Sequence, residues 1–126
     1  MLLALDHVNL LTDDPDGLAE WYETVLGLKR GPRPPFAFPG VWLYIGENPV
    51  VHLVLRSQKP GPNEGSMEHF ALRAKGMKAF EERLTAKGVA FETAQVPETD
   101  IVQYNVYDPA GNHIHVDLRS TQEEAG

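Results

Sequence analysis

The chain contains no cysteine. That one absence removes disulfides, thiolate metal sites and a cysteine nucleophile, and leaves the redox compartment open. Long apolar runs are missing too: no stretch approaches the ~20 residues of a membrane span. Residues 1–6 carry no basic group and too short an apolar run for a signal peptide. No membrane partner is expected, and the cytoplasm is the default location. Positive charge is also scarce, with Lys and Arg together at 11 against 18 Asp and Glu, a formal charge of −7. Nucleic-acid binding depends mainly on a basic surface meeting phosphates. Beyond Lys29-Arg30 there is no Lys/Arg cluster, so no nucleic-acid partner is expected.

What is present is an internal repeat, the first thing to seek in a new sequence. Asp6-His7-Val8-Asn9-Leu10 is matched in kind by Glu68-His69-Phe70-Ala71-Leu72: an acid, a histidine, then a short apolar strand pattern. Each is followed by an amphipathic helical segment ending at a glycine, Gly27 or Gly88, and each half closes on a strand with another histidine. His7 and His52 are 45 residues apart; His69 and His115 are 46 apart. The pattern predicts an α+β fold of two βαβββ modules. Module one covers residues 3–56 and module two residues 67–119, with a linker at 57–66 and a flexible tail at 120–126. A chain of 126 residues is one domain's worth. A module of ~55 residues is marginal alone, so the two are expected to share a sheet or a core within one domain, residues 1–120.

Local signals place the elements. Residues 3–11 suit a short strand. Asp13-Asp14-Pro15-Asp16 starts a helix, with acids in the first turn and a proline near its first position. Leu18, Trp21, Tyr22, Val25 and Leu26 form one stripe at helical spacing, read as core packing, and Gly27 ends it. Residues 31–40 hold four prolines with Phe36 and Phe38 and read as an irregular loop. Its aromatics either line a ligand pocket or cover an apolar sheet face. Residues 41–56 read as a hairpin with its turn at 46–49. In module two, a strand around His69 precedes a helix over 76–87, with Met77, Phe80, Leu84 and Ala79 on its buried side. Strands follow at 89–96, 101–107 and 113–119, the last two joined by the tight turn Asp108-Pro109-Ala110-Gly111-Asn112.

Side-chain alternation along strands divides these residues by face. His7, His52, His69 and His115 each fall on the more polar face. Val8/Leu10, Leu53/Leu55, Phe70/Leu72 and Ile114/Val116 fall on the other, where the helices should dock. One histidine on a strand is more often a satisfied polar residue than a ligand. Four of the chain's five histidines at repeat-related positions point instead to a site for a divalent metal such as Zn, Ni, Fe, Co or Mn.

The paired βαβββ units, the Asp-His-Val-Asn-Leu opening at 6–10, Trp21-Tyr22-Glu23 with Leu26-Gly27, and the 108–112 turn together resemble the vicinal oxygen chelate superfamily. That superfamily includes glyoxalase I, fosfomycin-resistance enzymes, extradiol dioxygenases and metal-free bleomycin-binding proteins. The resemblance spans about residues 4–119. Phe38-Pro39-Gly40-Val41-Trp42-Leu43 and His52-Leu53 look most like its glyoxalase-I-like branch. It implies a curved mixed sheet paired with a second chain, in a two-fold homodimer with metal sites at the interface. Carried across by position, it implies His7, His52, His69 and His115 as metal ligands, His7 and His52 from one chain and His69 and His115 from its partner. Two of those positions, His52 and His115, hold a glutamate in glyoxalase I. Four neutral imidazoles leave the ion's charge uncompensated, so an anionic small-molecule substrate is favoured and glutathione-hemithioacetal isomerisation is expected to be weak. The implied function is a metal-dependent glyoxalase-like lyase or isomerase, or a dioxygenase, acting on a small oxygen-chelating substrate. The competing reading is a metal-free small-molecule binding protein of the bleomycin-resistance type. His113 shares the parity of His115 and Asp117. Either it sits at the pocket rim or Asp117 serves as an acceptor for a histidine N–H, and it is not expected as a direct ligand.

Overall fold

The computed structural model describes residues 1, 3–56 and 69–121. The expected linker at 57–66, Met67 and Glu68, and residues 122–126 of the expected tail lie outside the described residues. The chain divides into two compact units, Met1–Glu64 and Gly65–Gly126. Each is a βαβββ-like module of the α+β class built on a mixed four-stranded sheet.

In the first unit, β1 (Val8–Thr12) leads to α1 (Pro15–Trp21), which runs on into a π-turn over Tyr22–Leu26. β2 (Lys29–Gly31), β3 (Gly40–Ile45) and β4 (Asn48–Leu55) complete it. The sheet order is β1-β4-β3-β2. β1 runs parallel to β4, because a helix carries the chain over the sheet between them, and the other pairs are antiparallel. Asp14 starts α1 by accepting the Gly17 N–H at 3.0 Å, with Pro15 in the first turn. Leu18, Ala19, Tyr22 and Val25 are buried, as are Leu10, Leu43, Val51 and Leu53 of the sheet. Of the expected stripe, Trp21 and Leu26 are only half-buried. The π-turn inserts a residue into the last turn, so a strict 3.6 spacing misplaces its end. The turn closes on Gly27, at φ 79°, whose N–H donates to the Tyr22 carbonyl.

Two differences from the sequence reading concern edges. β1 begins at Val8, leaving Leu3 and Leu5 exposed outside any strand. Residues 29–31, two cations and a glycine, form an edge strand that their composition conceals. Arg30 pins it to the helix through Glu23 and Asp16, each at 2.9 Å. Tyr44 covers Gly31 so closely that a Cβ there would meet its ring at 2.7 Å, and the Tyr44 hydroxyl donates to the Pro32 carbonyl.

In the second unit, β5 (Phe70–Arg73), α2 (Met77–Ala86), β6 (Glu92–Gln95), β7 (Ile101–Tyr107) and β8 (His113–Arg119) repeat the plan. The order is β5-β8-β7-β6, again with first and last strands parallel. α2 ends in a Schellman motif: Val89 N–H donates to Leu84 at 2.9 Å and Gly88 N–H to Thr85 at 3.1 Å, with Gly88 at φ 67°. Its Leu84 is buried, and so are Phe70, Tyr104, Val106, Ile114, Val116 and Leu118 of the sheet. Along β8 burial alternates strictly, with His113, His115 and Asp117 half-buried between fully buried apolar residues. Asp108 holds the preceding turn. Its carboxylate accepts from the Ala110 N–H, the Asn112 N–H and Asn112 Nδ2 at 2.8–2.9 Å. No described helix is long and apolar enough to cross a membrane.

Candidate metal centre

In the first unit the register places His52 between Asn9 of β1 and Trp42 of β3. Trp42 stacks on His52 at 4.0 Å and 10°. His7, immediately before β1, stacks on His52 at 3.8 Å and 13°. The three rings thus form one pile on the sheet face opposite the helix. His7 Nδ1 lies 2.7 Å from the Asp6 carboxylate, and His52 donates Nε2–H to the Pro49 carbonyl at 3.0 Å. Those partners leave His7 Nε2 and His52 Nδ1 as the lone pairs a cation could use. Burial pushes the His52 imidazole below its ordinary pKa, and His7 beside it acts in the same direction, while the Pro49 carbonyl acts against both. A neutral ring is the form that ligates a metal.

Beyond Trp42 the 32–39 loop adds more aromatic surface. Phe36 and Phe38 are stacked at 5.0 Å, both nearly half exposed, with Phe36 6.3 Å from Trp42. The Arg33 guanidinium sits 5.0 and 5.1 Å from the two phenylalanine rings and donates to the Phe38 carbonyl at 2.8 Å.

The second unit builds the matching arrangement and adds to it. His69, immediately before β5, stacks on His115 at 4.0 Å and 12°. His113 packs against both rings, 5.4 Å from His69 and 5.1 Å from His115. The ligand atoms of all three histidines lie within 4.8 Å of one another, close enough to be considered donors to one ion. His113 donates Nε2–H to Asn105 Oδ1 at 2.9 Å and stacks on Tyr107 at 4.8 Å. Asn105 and Tyr107 are the cross-strand partners of His115 and His113. Asp117 presents Oδ1 to His115 Nδ1 at 3.9 Å, beyond hydrogen-bond range. That oxygen is buried and has no hydrogen-bond partner among the described residues.

The structure therefore brings His7 to His52 and His69 to His115, each pair on one face of its own sheet. It also puts His113 beside the second pair. The sequence carried that signal in the two-residue spacing of His113 and His115, which gives them one face of β8. Their closeness to His69 rests on the β5–β8 register, where Phe70 faces Ile114. The donor set fits a divalent ion. It offers several neutral nitrogens and an orphaned carboxylate oxygen behind His115, in the manner of carboxylate–histidine–metal relays.

Known proteins agree with this architecture. Solved structures similar to the chain include a glyoxalase family protein from Bacillus anthracis, 18% identical, with TM-score 0.78 over 95% of this chain and 98% of that one. A glyoxylase/bleomycin resistance protein/dioxygenase domain from Frankia sp. EAN1pec is 19% identical, with TM-score 0.75 over 96% and 95%. The fosfomycin resistance protein FosX from Listeria monocytogenes is 14% identical, with TM-score 0.70 over 96% and 97%. These likenesses speak for the fold. No curated protein matches the sequence. The family model of the Glyoxalase/Bleomycin resistance protein/Dioxygenase superfamily matches residues 4–116, and the chain belongs to that superfamily.

Proposed function

We propose that the protein is a divalent-metal-dependent enzyme acting on a small oxygen-chelating substrate, as a glyoxalase-like lyase or isomerase or as a dioxygenase. The ion would be held by His7 and His52 of one chain and by His69 and His115 of a second copy, in a two-fold homodimer. The observation that carries this reading is the pair of matched histidine stacks, 3.8 Å at 13° and 4.0 Å at 12°, at repeat-related positions on the open sheet faces. Bound there, the ion would supply Lewis acidity toward two adjacent substrate oxygens. The chain's own contribution is to hold the imidazoles on fixed sheet faces, with Asp6 hydrogen-bonded to His7 and Asp117 3.9 Å from His115. None of the four proposed ligands is a carboxylate, which favours an anionic substrate and disfavours proton transfer on a glutathione hemithioacetal.

The test is complementation. His7→Ala and His69→Ala proteins should each bind Zn²⁺ more weakly than the parent. Mixed and allowed to exchange, they should regain parental affinity at one site per dimer, because the heterodimer has one intact and one doubly broken site. A mixture that binds no better than its components sinks the shared site.

The exposed Phe36–Phe38 pair, the Arg33 guanidinium beside it and the nearby Trp42 favour a second reading, a metal-free binding protein for an aromatic molecule. Metal analysis of protein purified without a histidine tag separates the two. Bound stoichiometric metal supports the enzyme, and metal-free protein that also fails to take up Zn²⁺ supports the binding protein.

A further inference from the structure

The two units are matched in their histidine pairs but not in the number of histidines. Two residues before His115 stands His113; the same place before His52 in the first unit is Val50. The first unit therefore offers a pair of imidazoles and the second offers three. We propose that the second unit carries a complete metal site of its own, His69, His113 and His115, which takes a divalent cation without any residue of the first unit. This rests on the reading above only in taking the histidine face as the metal face.

Distance, bracing and chemistry each support it. The three ligand atoms lie within 4.8 Å of one another. Nitrogens on a tetrahedral zinc are ~3.3 Å apart, given bonds of about 2.0–2.1 Å. The difference to be closed is about 1.5 Å at most between ligand atoms. The backbone positions are set by the β5–β8 ladder, since His113 and His115 lie on β8 and His69 stands one residue before β5. Two of the three rings are already oriented. His113 gives Nε2–H to Asn105 and lies flat on Tyr107, which fixes the plane of its ring. His115 stacks on His69 and turns Nδ1 toward the buried Asp117 Oδ1, 3.9 Å away. Sites on strands with such supporting contacts hold their geometry better than sites on loops. Three imidazoles form a neutral ligand set with room for further ligands, the arrangement of an open catalytic site. The second unit is then the loading site, and the first-unit histidines of a partner join an ion already in place.

The experiment is a Co²⁺ titration of the full chain, read by visible absorption and by calorimetry. It compares the parent, the His7→Ala/His52→Ala double variant, and that double variant with His113→Ala added. The double variant should still bind one Co²⁺ per chain. Adding His113→Ala should weaken binding about 100-fold or more, since removing a mere supporting group costs ~10–100-fold. His113→Gln in the same background keeps a polar group of similar size and should lose affinity likewise, whether or not the alanine variant folds well. Loss of Co²⁺ binding in the folded double variant overturns the proposal, as does unchanged affinity without His113. Failure here is distinct from failure of the shared site. A double variant that binds Co²⁺, with no recovery on mixing His7→Ala and His69→Ala proteins, leaves the local site standing and removes the shared one. The reverse pattern removes the local site alone.

Discussion

Tyr104 shows how one polar atom is accommodated in the second core. The residue is 2% exposed, and its ring meets Phe80 edge-on at 5.6 Å. Its hydroxyl donates to Glu81 Oε2 on α2 at 2.6 Å, so the phenol ties helix to sheet. Burial, and then the hydrogen bond to Glu81, push its pKa up to about 12. The folded value lies above the unfolded one near ~10, so the protonated phenol favours folding. That contribution is complete below pH ~10 and is lost as the pH climbs through about 12, and its size is on the order of 2 kcal/mol. Tyr104→Phe should be less stable at neutral pH by about 1 kcal/mol, the worth of one buried hydrogen bond. In denaturant unfolding, the gap between parent and variant should shrink and then reverse as the pH rises from about 10 toward 12. A gap that stays constant across that range would mean the phenol titrates normally.

Helix ends and strand faces are the elements most directly written in the chain. Asp14 with Pro15 starts α1, and left-handed glycines end both helical segments, because caps depend on neighbours a few residues away. Asp14→Ala should therefore cost about 1 kcal/mol, read as a lower midpoint in urea with an unchanged slope. An Asp14→Ser variant that also caps should recover most of it. β7 and β8 begin and end where the alternation predicts, and His113 and His115 share the half-buried face of β8. What was not legible depends on partners distant in sequence. β2 is a strand because Leu43 and Tyr44 pair with it and Tyr44 covers Gly31, and nothing in Lys29-Arg30-Gly31 itself asks for a strand. The π-turn adds one residue to a helix whose apolar spacing reads as ordinary. Parity placed His113 on the correct face, but its nearness to His69 comes from the parallel β5–β8 register and its tautomer from Asn105 across the hairpin. Trp42 stacked on His52 follows from an equally long-range pairing.

At the scale of the whole molecule, the two proposals make metal binding and self-association a single equilibrium. If a second-unit ion gains His7 and His52 only when a second copy docks, then metal must tighten the dimer by the same factor by which dimerisation tightens metal. Each imidazole supplied by the partner adds bonds that exist only in the assembled state, so the coupling should be large for the parent chain. Sedimentation of the untagged protein over a range of concentrations, with excess Zn²⁺ or with chelator, should show the dimer dissociation constant falling by about 10-fold or more with metal, a typical coupling of ~1–3 kcal/mol. The His7→Ala/His52→Ala protein should still bind the ion through His69, His113 and His115, yet its association should no longer respond to it. Stability should follow the same division. Metal at ~100 times its dissociation constant adds about 2.7 kcal/mol to whichever folded species binds it. The double variant should thus gain thermal stability from Zn²⁺ independently of protein concentration, whereas the parent's gain should increase with concentration. An association constant of the parent chain indifferent to metal, measured with the site filled, would break the link between the two equilibria and leave the ion as a ligand of one unit alone.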